Sequence, residues 1–295
     1  MSNQPSAYMP PAYMPPSREP PSREPRWIKP ALIAFTLLFL SVFVFIPLAT
    51  IFKEALSGGI KTYIQAMSDP DVFASIRLTL FTALLCVPVN TFFGVLTAWA
   101  VTKFDFRFKH TLITLIEIPF AISPVVAGLL FIFLFGSFGW FGSYLIEHNI
   151  KIVFAVPGIV IATAFVTFPF VARELIPLMR ELGRDDEEAA MTLGARGLRI
   201  FFNITLPNIK WGLLYGVILT NARAVGEFGA VAVVSGSIRG LTTTMPLYID
   251  ILYGEYMFAA AFAVASLLTI LALVTLFVKT IIERVLAEQR KRALV

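Results

Sequence analysis

Long apolar runs set the pattern of this chain. Four uncharged stretches, 30–52, 78–102, 152–172 and 256–278, are long enough to cross a bilayer, for which a helix needs about 20 apolar residues. Two further stretches keep the apolar character but carry charge inside: Glu117 lies in 111–136, and Arg223 and Glu227 lie in 211–235. The pattern predicts an all-α integral membrane protein with six transmembrane helices. Between the fourth and fifth spans it breaks off. The stretch DDEEAAMTLGARGLRIFFNITLP, residues 185–207, opens on four consecutive acids and closes on a proline.

Composition supports the membrane reading, with 57% hydrophobic and 15% charged residues where soluble domains average about a quarter charged. Charge placement adds orientation. With both termini inside, the cytoplasmic segments hold eighteen Lys and Arg against five outside, a clear positive-inside bias. The 185–207 stretch therefore faces the cytoplasm. A six-helix domain over 30–283 is expected between a proline-rich tail, 1–29, and a basic C-terminal tail, 284–295. The first tail repeats AYMPP twice and then runs through SREPP and SREPR, a composition that favours extended chain over packing. Segments 53–77 and 139–152 are expected along the outer surface, with Trp140, Tyr144, Tyr253 and Tyr256 as an interfacial aromatic belt.

Little else in the sequence suggests chemistry. Cys86 is the only cysteine, so no intrachain disulfide forms. His110 and His148 fall in loops on opposite sides and cannot share a metal. No GxxxxGK is present, so the chain lacks a phosphate-cradling loop of its own. No nucleic-acid partner is expected. Charges within the spans are more informative, because each costs about 2.5–3.5 kcal/mol at a bilayer centre on insertion scales and so should face protein or water. Arg223 and Glu227 are four residues apart on one helical face, which permits an ion pair; the glycines at 226 and 229 equally permit a weakened turn beside a permeation path. Pro88, Pro119, Pro124, Pro157 and Pro169 lie in or near spans, where they either kink path-lining helices or serve packing.

The cytoplasmic stretch reads as a short helix from Asp185 to Leu193. Acids at its start complement the helix dipole, and Gly194 is a left-handed stop. A second amphipathic run follows, with Leu198, Phe201 and Phe202 on one side and Arg196 and Arg199 on the other, and Pro207 opens the next span. Such a projecting element has little core of its own, and small Ala189 and Ala190 would let it dock closely against a partner.

Glu188-Ala189-Ala190, Gly194 after three more residues, and Ile204-x-Leu206-Pro207 after nine match the EAA---G---------I-LP signature of the permease subunits of ABC importers, a family this chain resembles from about residue 26 to 290. The resemblance implies a type I importer permease fold in a bacterial plasma membrane. Its cytoplasmic coupling helix would carry Glu188, Ala189, Ala190, Gly194, Arg196, Ile204, Leu206 and Pro207. IPFAISPVVAGLL (118–130), TFPFVARELIPLM (167–179) and LTNARAVGEFGAVAVVSGSIRG (219–240) resemble the oxyanion branch; with VPVNTFFGVLTAWAVTKFDF (87–106) they are most similar to W-type sulfate/thiosulfate permeases. Implied partners are a T-type permease subunit, two copies of an ATPase that binds ATP and Mg, and a periplasmic sulfate-binding protein. The chain itself would be no enzyme. For the anion, helix N-termini, backbone N–H groups, hydroxyls and at most one arginine are expected. That singles out Ser123, Arg223 and Ser235 as candidate ligands, with Pro124 and Glu227 beside them in the candidate substrate path. Molybdate or tungstate is the alternative cargo. An ion-coupled secondary transporter using Glu117 or Glu227 is the rival from another class, and an intramembrane enzyme lacks any nucleophile–base or metal constellation in the spans.

Overall fold

The computed structural model describes residues 27–293, with side chains described for 27–281 and Arg284. The AYMPP and SREPP repeats of the proline-rich tail lie outside the described residues. All regular structure among the described residues is helical. The chain divides into two units, residues 1–49 and 50–295. The first unit contains most of helix α1 (Ile28–Ala55). A π-turn at Ser41–Phe45 interrupts it, the rings of Phe39 and Phe43 lie 4.5 Å apart, and no side chain of residues 28–49 is buried.

The second unit continues with α2 (Gly59–Met67), α3 (Pro70–Lys103), α4 (Lys109–Ala121), α5 (Pro124–Phe135) and α6 (Gly142–Glu147). Segment 53–77 is thus no separate surface strip, since it ends α1, forms α2 and begins α3. Asp69 starts α3 by accepting the Asp71 N–H at 2.8 Å, and Pro70 occupies the first turn, where its missing N–H costs nothing. The expected span 111–136 is two helices meeting at 107°. Pro124 disfavours helical backbone at the residue before it, and both Ile122 and Ser123 take extended ψ values, 133° and 135°.

Helix α7 (Val156–Leu182) steps at Phe168, where Pro169 brings no N–H. Next come α8 (Asp185–Thr192) and α9, residues 197–225, which carries a π-turn at Phe201–Thr205 before its main body, Leu206–Val225. The expected span 211–235 stops at Gly226 and resumes as α10 (Gly229–Val234). Helix α11 (Met245–Gly254) and α12 (Phe258–Ala293) complete the chain, so the basic C-terminal stretch continues the last helix as far as Ala293. Pro124, Pro157 and Pro169 all stand in first turns, whereas Pro88 and Pro119 lie inside helices. Among the described residues four helices are long and apolar enough to cross a membrane, or five if α4 and α5 make one broken span. For the remaining expected crossing, 211–235, the structure has the helix Leu206–Val225, 20 residues long and carrying Lys210 and Arg223.

Small residues let these helices approach closely, as membrane helices do where lipid offers no hydrophobic drive for association. Val95 and Ala98 of α3 pack with Val171, Leu175 and Met179 of α7 and Ile209 of α9. A side chain on Gly94 would place its Cβ 2.7 Å from Val171 Cβ, and one on Gly216 would come within 3.2 Å of Val171 Cα. Polar bonds reinforce the same seam: Asn90 Nδ2 donates to Thr167 Oγ1 at 2.7 Å and to Ala164 O at 3.0 Å. Overpacking a tight core costs about 1–3 kcal/mol. Gly94→Val is therefore expected to lower the thermal midpoint of the purified protein in detergent by several degrees; an unchanged midpoint would show that α3 and α7 can separate freely.

Candidate functional site: the cytoplasmic coupling segment

Two glycines delimit the segment. Gly183 follows α7 with φ 70° and ψ −157°, a backbone region essentially reserved for glycine. Helix α8 then carries Asp185, Asp186, Glu187 and Glu188 in its first turn, where acidic charge complements the exposed N–H groups. At the other end Gly194 has φ 83°. Ala195 N–H bonds to Ala190 O and Gly194 N–H to Met191 O, both at 3.0 Å. That pair of bonds is a Schellman stop, as expected for Gly194.

The four acids have different fates. Glu187 is the one residue of α8 that is buried among the described residues. Its Oε2 lies 3.0 Å from Lys103 Nζ at the end of α3, and its Oε1 accepts from Thr205 Oγ1 of α9 at 2.6 Å. Lys103 also donates to Gly183 O at 2.5 Å. Asp186 accepts from Asn208 Nδ2 at 3.2 Å. Arg184 donates to Thr102 O at 3.1 Å and approaches Asp105 at 3.8 Å. The side-chain hydrogen bond from Lys109 to Asp105, with the charges of Lys109 and Arg184 behind it, holds the Asp105 carboxyl below its ordinary range. Asp185 and Glu188 face solvent.

Ala189 is exposed and Ala190 half-buried, with Met191, Leu193 and Leu198 forming a projecting apolar tip. The amphipathic run is phased differently from expectation. Ile200 and Thr205 are buried, whereas Leu198 and Phe202 are 70% and 59% exposed. Each π-turn hydrogen bond spans one residue more than an α-turn, so the π-turn at 201–205 shifts the phase of the residues within and after it, whereas Leu198 precedes it in the first turn of α9. Phe201 packs on Trp99 at 4.9 Å, and Leu206 joins the α3–α7–α9 core. Ile204 is half-buried, while Arg196 and Pro207 are exposed.

The expected substrate-path residues gather only in part. Ser123 is exposed at the α4–α5 bend, with Pro124 half-buried beside it. A Cβ on Gly229 would lie 3.0 Å from Pro124 Cβ, so the two broken spans meet at their breaks. Arg223 and Glu227 bridge the second break as an ion pair of 2.7 Å, with side chains 33% and 1% exposed. Glu227 Oε1 also accepts from Ala230 N–H at 3.0 Å, so the carboxylate fastens the start of α10. Ser235 is fully buried at the far end of α10 and accepts from Ser237 N–H at 3.1 Å. Glu117 is exposed and lines a separate cavity of about 260 Å³ with Arg173 and Arg180. Sequence reasoning missed Lys103, Glu187, Thr205 and Asn208. Lys103 and Glu187 are 84 positions apart, and no local periodicity signals such a pairing.

Residues 90–287 match the family model described as "Binding-protein-dependent transport system inner membrane component". The chain belongs to this family. This binding-protein-dependent permease is accordingly an inner-membrane transport component. It is 50% identical over 267 residues to the sulfate transport system permease protein CysW of Escherichia coli K12, covering 90% of this chain and 92% of that one. The CysW of Synechocystis is 50% identical over 257 residues, 87% of this chain and 93% of its own length. The CysT protein of Salmonella typhimurium is more distant at 36% over 242 residues, 82% and 87% of the two chains. The fold agrees with a chain of a bacterial alginate ABC transporter, solved in complex with an alginate pentasaccharide-bound periplasmic protein. That chain superposes with TM-score 0.74 at 16% identity over 88% of this permease and 95% of itself.

Proposed function

We propose that the permease translocates sulfate, and thiosulfate with it, as the membrane subunit of an ATP-driven ABC importer. The observation that carries this reading is α8: a short acidic helix fastened to the membrane helices by one face and presenting Glu188, Ala189 and an apolar tip on the other. An eight-residue helix of this kind has no core of its own, so a partner is needed to cover it. That partner is a pair of ATPase subunits, which bind ATP and Mg, and the second membrane subunit is of the T type. A periplasmic binding protein delivers the anion. Closure of the ATPase pair moves α8 and with it the helices to which it is fastened. Transport follows if the outward and inward states differ in their affinity for sulfate. Where the two broken spans meet, Ser123, Pro124, Arg223 and Glu227 belong to the path or its frame, with Ser235 at the far end of α10.

The test is reconstitution. Proteoliposomes holding the full complex and supplied with the binding protein should accumulate labelled sulfate only with internal ATP, and should do so undiminished when the proton gradient is collapsed. Uptake that follows the proton gradient and ignores ATP would overturn the reading in favour of an ion-coupled carrier. Excess molybdate that displaced sulfate more effectively than unlabelled sulfate would reassign the cargo.

A further inference from the structure

We propose that Lys103, Glu187 and Thr205 form a clamp that locks α8 rigidly to the ends of α3 and α9, and that this lock converts movement of the docked partner into movement of the membrane helices. The inference rests on the coupling reading above and deepens it. Helix α8 hangs between Gly183 and Gly194, both at positive φ and both with nothing within 4 Å of where a Cβ would be. No packed neighbour braces these flanks on the side where a Cβ would stand. Apolar packing does not brace α8 either, because the residue of α8 that is buried is the charged Glu187. What remains is polar: the exposed bonds Asn208–Asp186 and Arg184–Thr102, and the screened set of Lys103 and Glu187, with side chains only 9% and 12% exposed, and the Thr205 hydroxyl at 2.6 Å. Both Glu187 oxygens are engaged, one by the end of α3 and one by α9. Lys103 also holds the Gly183 carbonyl, so the same ammonium fixes one pivot and the helix beyond it. Glu187 thus points into its own subunit while Glu188 beside it points out. Positioning is the role of the first, and docking that of the second.

The experiment uses the complete transporter in proteoliposomes and measures sulfate imported per ATP hydrolysed, with co-purification of the ATPase scored separately. Lys103→Met and Thr205→Val are expected to retain the ATPase but to lower sulfate per ATP at least tenfold. Lys103→Arg and Thr205→Ser, which keep the charge and the hydroxyl, should restore the parent ratio to within about twofold. Amide exchange across 185–193 should accelerate in the first two variants and not in the second two. A parent-like ratio in Lys103→Met and Thr205→Val would overturn the clamp, as would loss of the ATPase from them, since the residues would then serve assembly. Glu188→Lys, measured alongside, separates the layers. If it leaves uptake and ATPase attachment intact, the coupling reading itself fails; if it disrupts them while the clamp variants behave as parent, only the clamp fails.

Discussion

Replacement of Glu188 by lysine is expected to release the ATPase from the permease and reduce sulfate uptake at least 100-fold while leaving the permease folded. The fold should survive because Glu188 is exposed and its side chain has no ion-pair or hydrogen-bond partner among the described residues. The internal cost is a reversed charge in the first turn of α8, worth about 0.3–1 kcal/mol against the helix dipole. Three other acids remain in that turn. Across an interface the same reversal is far more costly, because juxtaposed like charges are penalised by several kcal/mol. A 100-fold loss of affinity corresponds to about 2.7 kcal/mol. The measurement is the amount of ATPase recovered with tagged permease, together with sulfate-stimulated ATP hydrolysis. Glu187→Lys provides the contrast. It would set two ammonium groups against each other in a site whose side chains are about a tenth exposed, so that variant should be destabilised itself. A permease carrying Glu188→Lys that still binds the ATPase and responds to sulfate would remove α8 from the docking surface.

The contrast between these adjacent acids shows where sequence reading succeeds and where it stops. The extent of α8, its acidic first turn and the left-handed Gly194 were legible, because caps and dipoles are set by residues within a few positions of one another. Arg223 and Glu227 form their pair for the same reason, being one helical turn apart. The breaks were half legible. Ser123-Pro124 and Gly226 carry local signals for interruption, yet the apolar run around each concealed where one helix ended and another began. Helix α11 was missed altogether. Met245, Tyr248 and Leu252 are buried against Val72, Ala261 and Val264, although the segment lies between two spans and reads as an outer loop. The clamp was least legible, since Lys103, Glu187 and Thr205 meet only after three membrane helices have packed. Hydrophobic periodicity tells which residues face inward on one element but not which element supplies the partner.

Arg223→Ala should lose sulfate uptake and stability together, and a second substitution should separate the two. In the intact chain Glu227 is 1% exposed and 2.7 Å from Arg223. Removing the guanidinium strands a buried carboxylate, for which breaking a buried pair costs about 3–5 kcal/mol. Loss of uptake by the single variant therefore proves nothing about the anion. The double variant Arg223→Gln, Glu227→Gln removes both charges. The amide oxygen that replaces the Glu227 carboxylate can still accept the Ala230 N–H, held at 3.0 Å in the parent. The start of α10 should therefore stay fastened, and the thermal midpoint should recover most of the loss. Uptake should not recover, because the Arg223 side chain is 33% exposed and is the cation at the junction of the two broken spans. A neutral amide there leaves the path without the charge that favours a divalent anion. Recovery of uptake along with stability would give Arg223 a purely structural role as the partner of Glu227, and the burden of holding sulfate would pass to Ser123 and the N-terminal backbone of α5.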